Sequence, residues 1–174
     1  MTYLAGLFCL HWKPYECFVA FANMVHTHYF TSLFMMDVNQ IVKHIKIFDI
    51  LYQRYLPELH SQFRKLGFSS EHYLLEWFLT LFTKQLPLDV VARIWDCYVF
   101  EGESFIYATA IAILKCCQKL IISSSFDEAA LLLRTLPQDI KEEALFSAIN
   151  TIHIPKYFKK LVENLNKESY IHNI

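Results

Sequence analysis

The sequence predicts an all-α fold of about ten helices. Three observations carry this. Apolar residues recur at intervals of three and four along most of the chain, the period of one helix face. No strict alternation of apolar and polar residues lasts beyond four positions, so half-buried strands find no support. Gly is scarce, 3 in 174 residues, and the 5 prolines fall between helical stretches rather than in clusters of tight turns.

The first helix is Met1–His11, apolar almost throughout. It lacks the positive leader region of a signal peptide. Trp12-Lys13-Pro14 interrupts it before the roughly 18 residues a membrane span requires, so it reads as a core helix. A chain that opens directly on such a helix reads as one that has lost its beginning. Left uncovered, the apolar face predicts self-association. Pro14 suits the first turn of a second helix to about His26, with Tyr15, Phe18, Val19, Ala22 and Val25 on its stripe. The residues around Tyr29–Met36 read as a loop. Asp37 can cap the next helix, which carries Ile41, Ile45, Phe48, Leu51, Tyr52 and Tyr55.

Pro57 restarts the chain, and Leu59, Phe63 and Leu66 continue it to Gly67, a natural helix stop. Ser69 or Ser70 caps "EHYLLEWFLTLFTKQ". There Tyr73, Leu74, Trp77, Phe78, Leu81 and Phe82 fill more than one face, which predicts burial on most sides. Pro87 lies near the first turn of a helix with two stripes, Leu88, Val91, Trp95 and Tyr98, then Val90, Ile94 and Cys97. Two stripes again predict a central position. Residues 103–122 form the next helix, another starts near Ser125, and Pro137 and Pro155 open the last two. Residues 169–174 are expected to fray. The rest, 1–168, reads as one domain.

Composition narrows the chemistry. A chain of this length can bury roughly 70% of its unfolded surface. Hydrophobic residues make up 55% and aromatics 16%, too apolar for a disordered segment. Net charge is −1 and the four Arg and twelve Lys are scattered, so no basic stripe invites nucleic acid. Five cysteines, an odd number without CxxC spacing, read as buried reduced thiols in a cytosolic protein. His26, His28 and Asp37 match no common zinc spacing, so no metal is expected. Gly6, Gly67 and Gly102 are isolated, so no phosphate loop is present. Arg93 and Asp96 lie three apart beside Trp95 on an apolar helix. They read as a buried ion pair that fixes this helix rather than as catalytic groups.

"YLLEWFLTLFTKQLPLDVVARIWDCYVFEGESFIYATAIAIL", Tyr73 to Leu114, resembles the C-terminal half of TBC domains, the GTPase-activating modules for Rab-type small GTPases. Three elements carry the resemblance: the Trp-Phe-Leu-x-Leu-Phe run Trp77–Phe82; Leu86-Pro87 followed by Arg-Ile-Trp-Asp at Arg93–Asp96; and Glu101-Gly102 with an apolar helix after it. The upstream helices and "LLLRTLPQDI" fit the same organisation. The resemblance implies acceleration of GTP hydrolysis in a partner GTPase, which would itself bind GTP and Mg²⁺, so the chain is expected to need no cofactor. It implies a cytoplasmic protein recruited to endomembranes through partners, with no integral membrane segment.

The family supplies an arginine finger from Ile-x-x-Asp-x-x-Arg and a glutamine from Tyr-x-Gln-Gly-Met. An arginine finger is worth on the order of 10³–10⁵ in rate. "MTYLAGLF" resembles the family's continuation after Tyr-x-Gln-Gly, with Met1 at the motif's Met. Both fingers are therefore expected before residue 1, and no catalytic residue within the chain. Asp49, Gln53 and Arg54 imitate parts of the motifs at the wrong spacing. The resemblance implies a GTPase-facing set, Met1, Thr2, Tyr3, Trp77, Lys84 and Gln85. It implies an architectural set, Arg93, Trp95, Asp96, Glu101 and Gly102. A non-catalytic module of the same type, binding a GTPase or an adaptor, is the alternative.

Overall fold

A computed structural model describes residues 1–155, 157, 158 and 160. Among these residues there are ten α-helices and no strand. They are α1 (Thr2–His11), α2 (Pro14–Val25), α3 (His28–Phe34), α4 (Val38–Tyr55), α5 (Pro57–Lys65), α6 (Glu71–Thr80), α7 (Leu88–Glu101), α8 (Glu103–Ile122), α9 (Phe126–Arg134) and α10 (Glu142–Asn150). The tail expected to fray, 169–174, and most of the segment after Pro155 lie outside the described residues.

Local chemistry explains most boundaries. Pro14 and Pro57 occupy the first position of α2 and α5, where a missing N–H costs nothing. The Asp37 carboxylate accepts from the amides of Asn39 and Gln40 at 3.0 and 3.2 Å and caps α4. Ser125 and Glu128 form a reciprocal capping box on α9. Those hydrogen bonds pull the Glu128 carboxyl below its ordinary pKa. At the end of α5 the amides of Gly67 and Phe68 donate to the carbonyls of Arg64 and Phe63, with Gly67 at φ 68°. This is a Schellman turn with glycine in the left-handed position.

Three expectations are corrected. The segment around Tyr29–Met36 is not a loop; its greater part is α3, closed by a second Schellman turn in which Met36, at φ 54°, takes the glycine's role. The helix begun at Glu71 does not continue to Gln85. It ends at Thr80 in a third such turn, with Leu81 and Phe82 at φ 46° and 63°. Both side chains are wholly buried, and that burial offsets a left-handed cost of roughly 1–2 kcal/mol each. The helix placed at Pro137 starts later, after Lys141.

α8 forms the centre. It packs against α4, α5, α6, α7, α9 and α10, and Ile106, Ala110, Ile111, Ile113 and Leu114 are wholly buried. It is the one helix among the described residues long and apolar enough to cross a membrane, and most of it is buried within the fold. α1 and α2 form a hairpin at the edge, joined to the body through α3 and through Leu4 and Leu7. Polar ties cross the core. The Tyr107 hydroxyl of α8 lies 2.5 Å from Nδ1 of buried His44 on α4. Ser70, at the start of α6, does not cap with its hydroxyl; it donates to Asp49 of α4 at 2.5 Å.

Candidate functional site

The motif-bearing helix α7 sorts its residues by side. Val90, Val91, Ile94 and Trp95 point into the core; Arg93 and Asp96, spaced to share the other side, are exposed. The expected buried Arg93–Asp96 pair is therefore corrected. The Arg93 guanidinium, 61% exposed, pairs instead with Glu142 of α10 at 2.8 Å and lies 5.2 Å from the Phe146 ring centroid. A helix this apolar reserves its inner side for hydrocarbon, and the charges go where water reaches them. Arg93 still ties two helices together, through a solvated contact.

Trp95 is the architectural residue of the motif. Its indole N–H donates to the Leu81 carbonyl at 3.1 Å, satisfying the backbone of the left-handed turn after α6. Its ring meets Phe8 of α1 edge-on, centroids 5.1 Å apart. One side chain thus joins the hairpin, α7 and the strained turn. Gly102 separates α7 from α8 at φ 76°, ψ −167°, a conformation that only glycine adopts cheaply. The Glu101 side chain is exposed, and its carbonyl accepts from Ser104.

The turn between α6 and α7 holds a polar network. One oxygen of the Glu76 carboxylate receives the Lys84 ammonium and the other receives the Gln85 amide at 3.3 Å. The Gln85 side-chain oxygen accepts from Thr80 at 3.0 Å, and its backbone carbonyl accepts from Gln138 at 3.2 Å. Gln85 is 1% exposed and Trp77 is wholly buried, its indole donating to the Leu133 carbonyl. Two residues of the GTPase-facing set are therefore corrected to internal braces; their hydrogen-bonding capacity is spent inside the fold. Lys84 reaches the surface, held by Glu76. Met1 and Tyr3 are exposed apolar residues of the hairpin, and Thr2 is exposed beside them.

Between the hairpin and α7 runs a groove of about 1030 Å³, with Leu7, Phe8, Trp12, Met24, Trp95 and Val99 among its lining. Asp96, Glu101 and Glu103 give that lining an acidic side. Neither Glu76 nor this groove was foreseen. Glu76 stands alone among apolar residues in the middle of α6, and the groove depends on how the hairpin docks, which spacing along the chain does not encode.

The pieces do not converge on a nucleophile, and among the described residues no group of three His, Cys, Asp or Glu side chains is placed to hold a metal. Asp49 and Arg54 diverge, the carboxylate toward Ser70 and the guanidinium toward the Tyr157 hydroxyl at 3.4 Å. Arg64 and Arg134 are exposed in the last turns of α5 and α9, where the helix dipole favours a cation.

The chain is an all-helical scaffold in which motif-bearing α7 packs on the central helix α8 and faces an apolar groove beside the α1–α2 hairpin. Its sequence profile is that of the Rab-GTPase-TBC domain, matched over residues 1–122, and the chain belongs to that family. It is 38% identical over 165 residues to Drainin of Dictyostelium discoideum, covering 94% of this chain and 38% of that protein. It is 32% identical over 165 residues to human TBC1 domain family member 14, covering 95% of this chain and 24% of that protein. It is 31% identical over 160 residues to TBC1 domain family member 12 of Xenopus tropicalis, covering 92% of this chain and 23% of that protein. The chain thus spans well under half the length of these relatives.

Proposed function

We propose that this chain is the scaffold part of a Rab GTPase-activating module in vesicle trafficking, working in the cytoplasm and at endomembranes through its partners. The observation that carries this reading is the family match over residues 1–122, with Trp95 and Gly102 of its motif performing structural work at the joint between hairpin, α7 and α8. The partner is a Rab-type GTPase, which brings its own GTP and Mg²⁺. Its docking face includes Met1, Thr2, Tyr3 and Lys84, the members of the sequence-derived set that reach the surface.

The transition state of phosphoryl transfer spreads charge over the transferred oxygens, and a trans-acting cation and a water-orienting amide lower it. No Ile-x-x-Asp-x-x-Arg or Tyr-x-Gln-Gly run occurs within residues 1–174. In this reading both groups come from polypeptide outside the sequence, and the chain alone binds without accelerating. The second reading is a non-catalytic module of the same type; Arg93, paired with Glu142, and Arg54, at the Tyr157 hydroxyl, serve as structural contacts in both. Single-turnover hydrolysis by GTP-loaded Rab proteins separates the two. Acceleration by a longer polypeptide that carries both motifs, and none by the chain, supports the first. Binding without acceleration by the longer polypeptide supports the second.

A further inference from the structure

The hairpin brings two thiols together. Cys9 lies near the end of α1 and Cys17 near the start of α2, with seven residues between them in sequence. The turn is pinned on both sides of its corner. The Trp12 amide donates to the Phe8 carbonyl at 3.0 Å and the Cys17 amide to the Lys13 carbonyl at 2.8 Å. This holds the two Sγ atoms 2.7 Å apart. A disulfide needs an S–S distance of about 2.05 Å, so well under an ångström separates contact from bond. Both thiols are free in this structure.

Their surroundings differ in a useful way. Cys9 is exposed and Cys17 is buried. An accessible sulfur beside a shielded one is the arrangement in which the first meets an oxidant and the second resolves the product. The hydrogen bond it shares with Cys9, then burial, raises the Cys17 pKa, which keeps Cys17 the slower nucleophile until its neighbour is oxidised. Cys9 and Cys17 are set apart by their sulfur–sulfur contact: Cys97 is half-buried on α7, and Cys116 and Cys117, exposed and buried, are neighbours along α8.

We propose that Cys9 and Cys17 form a reversible redox site, oxidised by a hydroperoxide to a disulfide that staples α1 to α2. The Cys9 thiolate attacks a peroxide oxygen. An S–O bond forms, the O–O bond breaks, and the departing oxygen takes a proton to leave as water from hydrogen peroxide. The Cys17 thiol loses its proton, and its sulfur attacks the Cys9 sulfenic acid. The S–S bond forms, the S–O bond breaks, and hydroxide leaves with that proton as water. Two thiols and one peroxide become one disulfide and two waters; two electrons pass from sulfur to oxygen. A cellular dithiol or glutathione restores the thiols by exchange. The functional consequence lies in the groove. Leu7 and Phe8 on one side and Ala20 and Met24 on the other line it within the two stapled helices, so the bond fixes that wall.

The test treats the reduced chain with hydrogen peroxide, blocks remaining thiols with an alkylating reagent and maps peptides without reduction. The expected result is an intramolecular Cys9–Cys17 link, with loss of two hydrogens from the intact mass and full reversal by dithiothreitol. Cys17→Ser should instead leave a Cys9 sulfenic acid that dimedone traps. Wild-type protein in which both residues stay alkylatable, in which Cys9 proceeds to sulfinic acid unlinked, or in which the link is intermolecular, overturns the proposal. The wild-type map decides even where a serine variant folds poorly.

Discussion

Acidification is expected to destabilise this fold through one imidazole. His44 is 2% exposed, with the Tyr107 hydroxyl at its Nδ1 and the Tyr29 ring edge-on against it. Burial, and then the charge of His28, lowers its pKa from 6.5 to about 4. The unfolded chain takes up this proton near the ordinary value; the folded chain does so only near the lowered one. Between the two the unfolded state binds more protons, so stability is lost as pH drops through that window and is fully retained above it. At about 1.4 kcal/mol per unit, the effect reaches at most roughly 3.5 kcal/mol. Asp49 works in the other direction. Burial raises its pKa despite its bond to Ser70, so the folded state takes up that proton first and gains stability as pH falls. The clean assay is urea unfolding from about pH 7.5 to about pH 4.5 in an Asp49→Asn background, with and without His44→Gln. The variant should be less stable at neutral pH and lose markedly less on acidification. Identical slopes with and without His44 would refute the reasoning.

Three further outcomes are expected. Arg93→Ala should cost only about 1 kcal/mol in unfolding, the sum of a solvated ion pair and an exposed cation–π contact; a loss above about 3 kcal/mol would mean that the Glu142 contact is desolvated. Met36→Gly should stabilise by about 1 kcal/mol in the same assay, because Met36 is exposed and sits at φ 54° where glycine bears no Cβ penalty. The isolated chain should self-associate in light scattering through the apolar outer face of the hairpin, where Met1, Tyr3, Leu10, Tyr15 and Phe18 are exposed; replacing Tyr15 and Phe18 with lysine should return it to monomer.

How much of the fold is readable from the chain depends on where each signal lies. Short-range chemistry was legible: the Asp37 cap, a helix start near Ser125, the Gly67 stop and the helix starts at Pro14 and Pro57. The two helix ends closed by Met36 and Leu81 were not, because a Schellman turn without glycine leaves no mark in composition; burial of Leu81 and Phe82 holds the second, while Met36 is exposed. The start of α10 was missed for a related reason, since Lys141 offers no side-chain cap. The family was legible from residues Tyr73 to Leu114, while the roles of single residues were not. Arg93 finds its partner on α10, far along the chain, and Trp77 and Gln85 sit inside the fold although their motif had placed them toward the GTPase.

The central proposal is that these helices form the scaffold of a GTPase-activating module and do not supply its reactive groups. Single-turnover GTP hydrolysis by a panel of Rab-type GTPases, measured with saturating chain and compared with the GTPases alone, tests it most directly. Unchanged rates with every GTPase are predicted. A large acceleration by the 174 residues on their own would contradict the account.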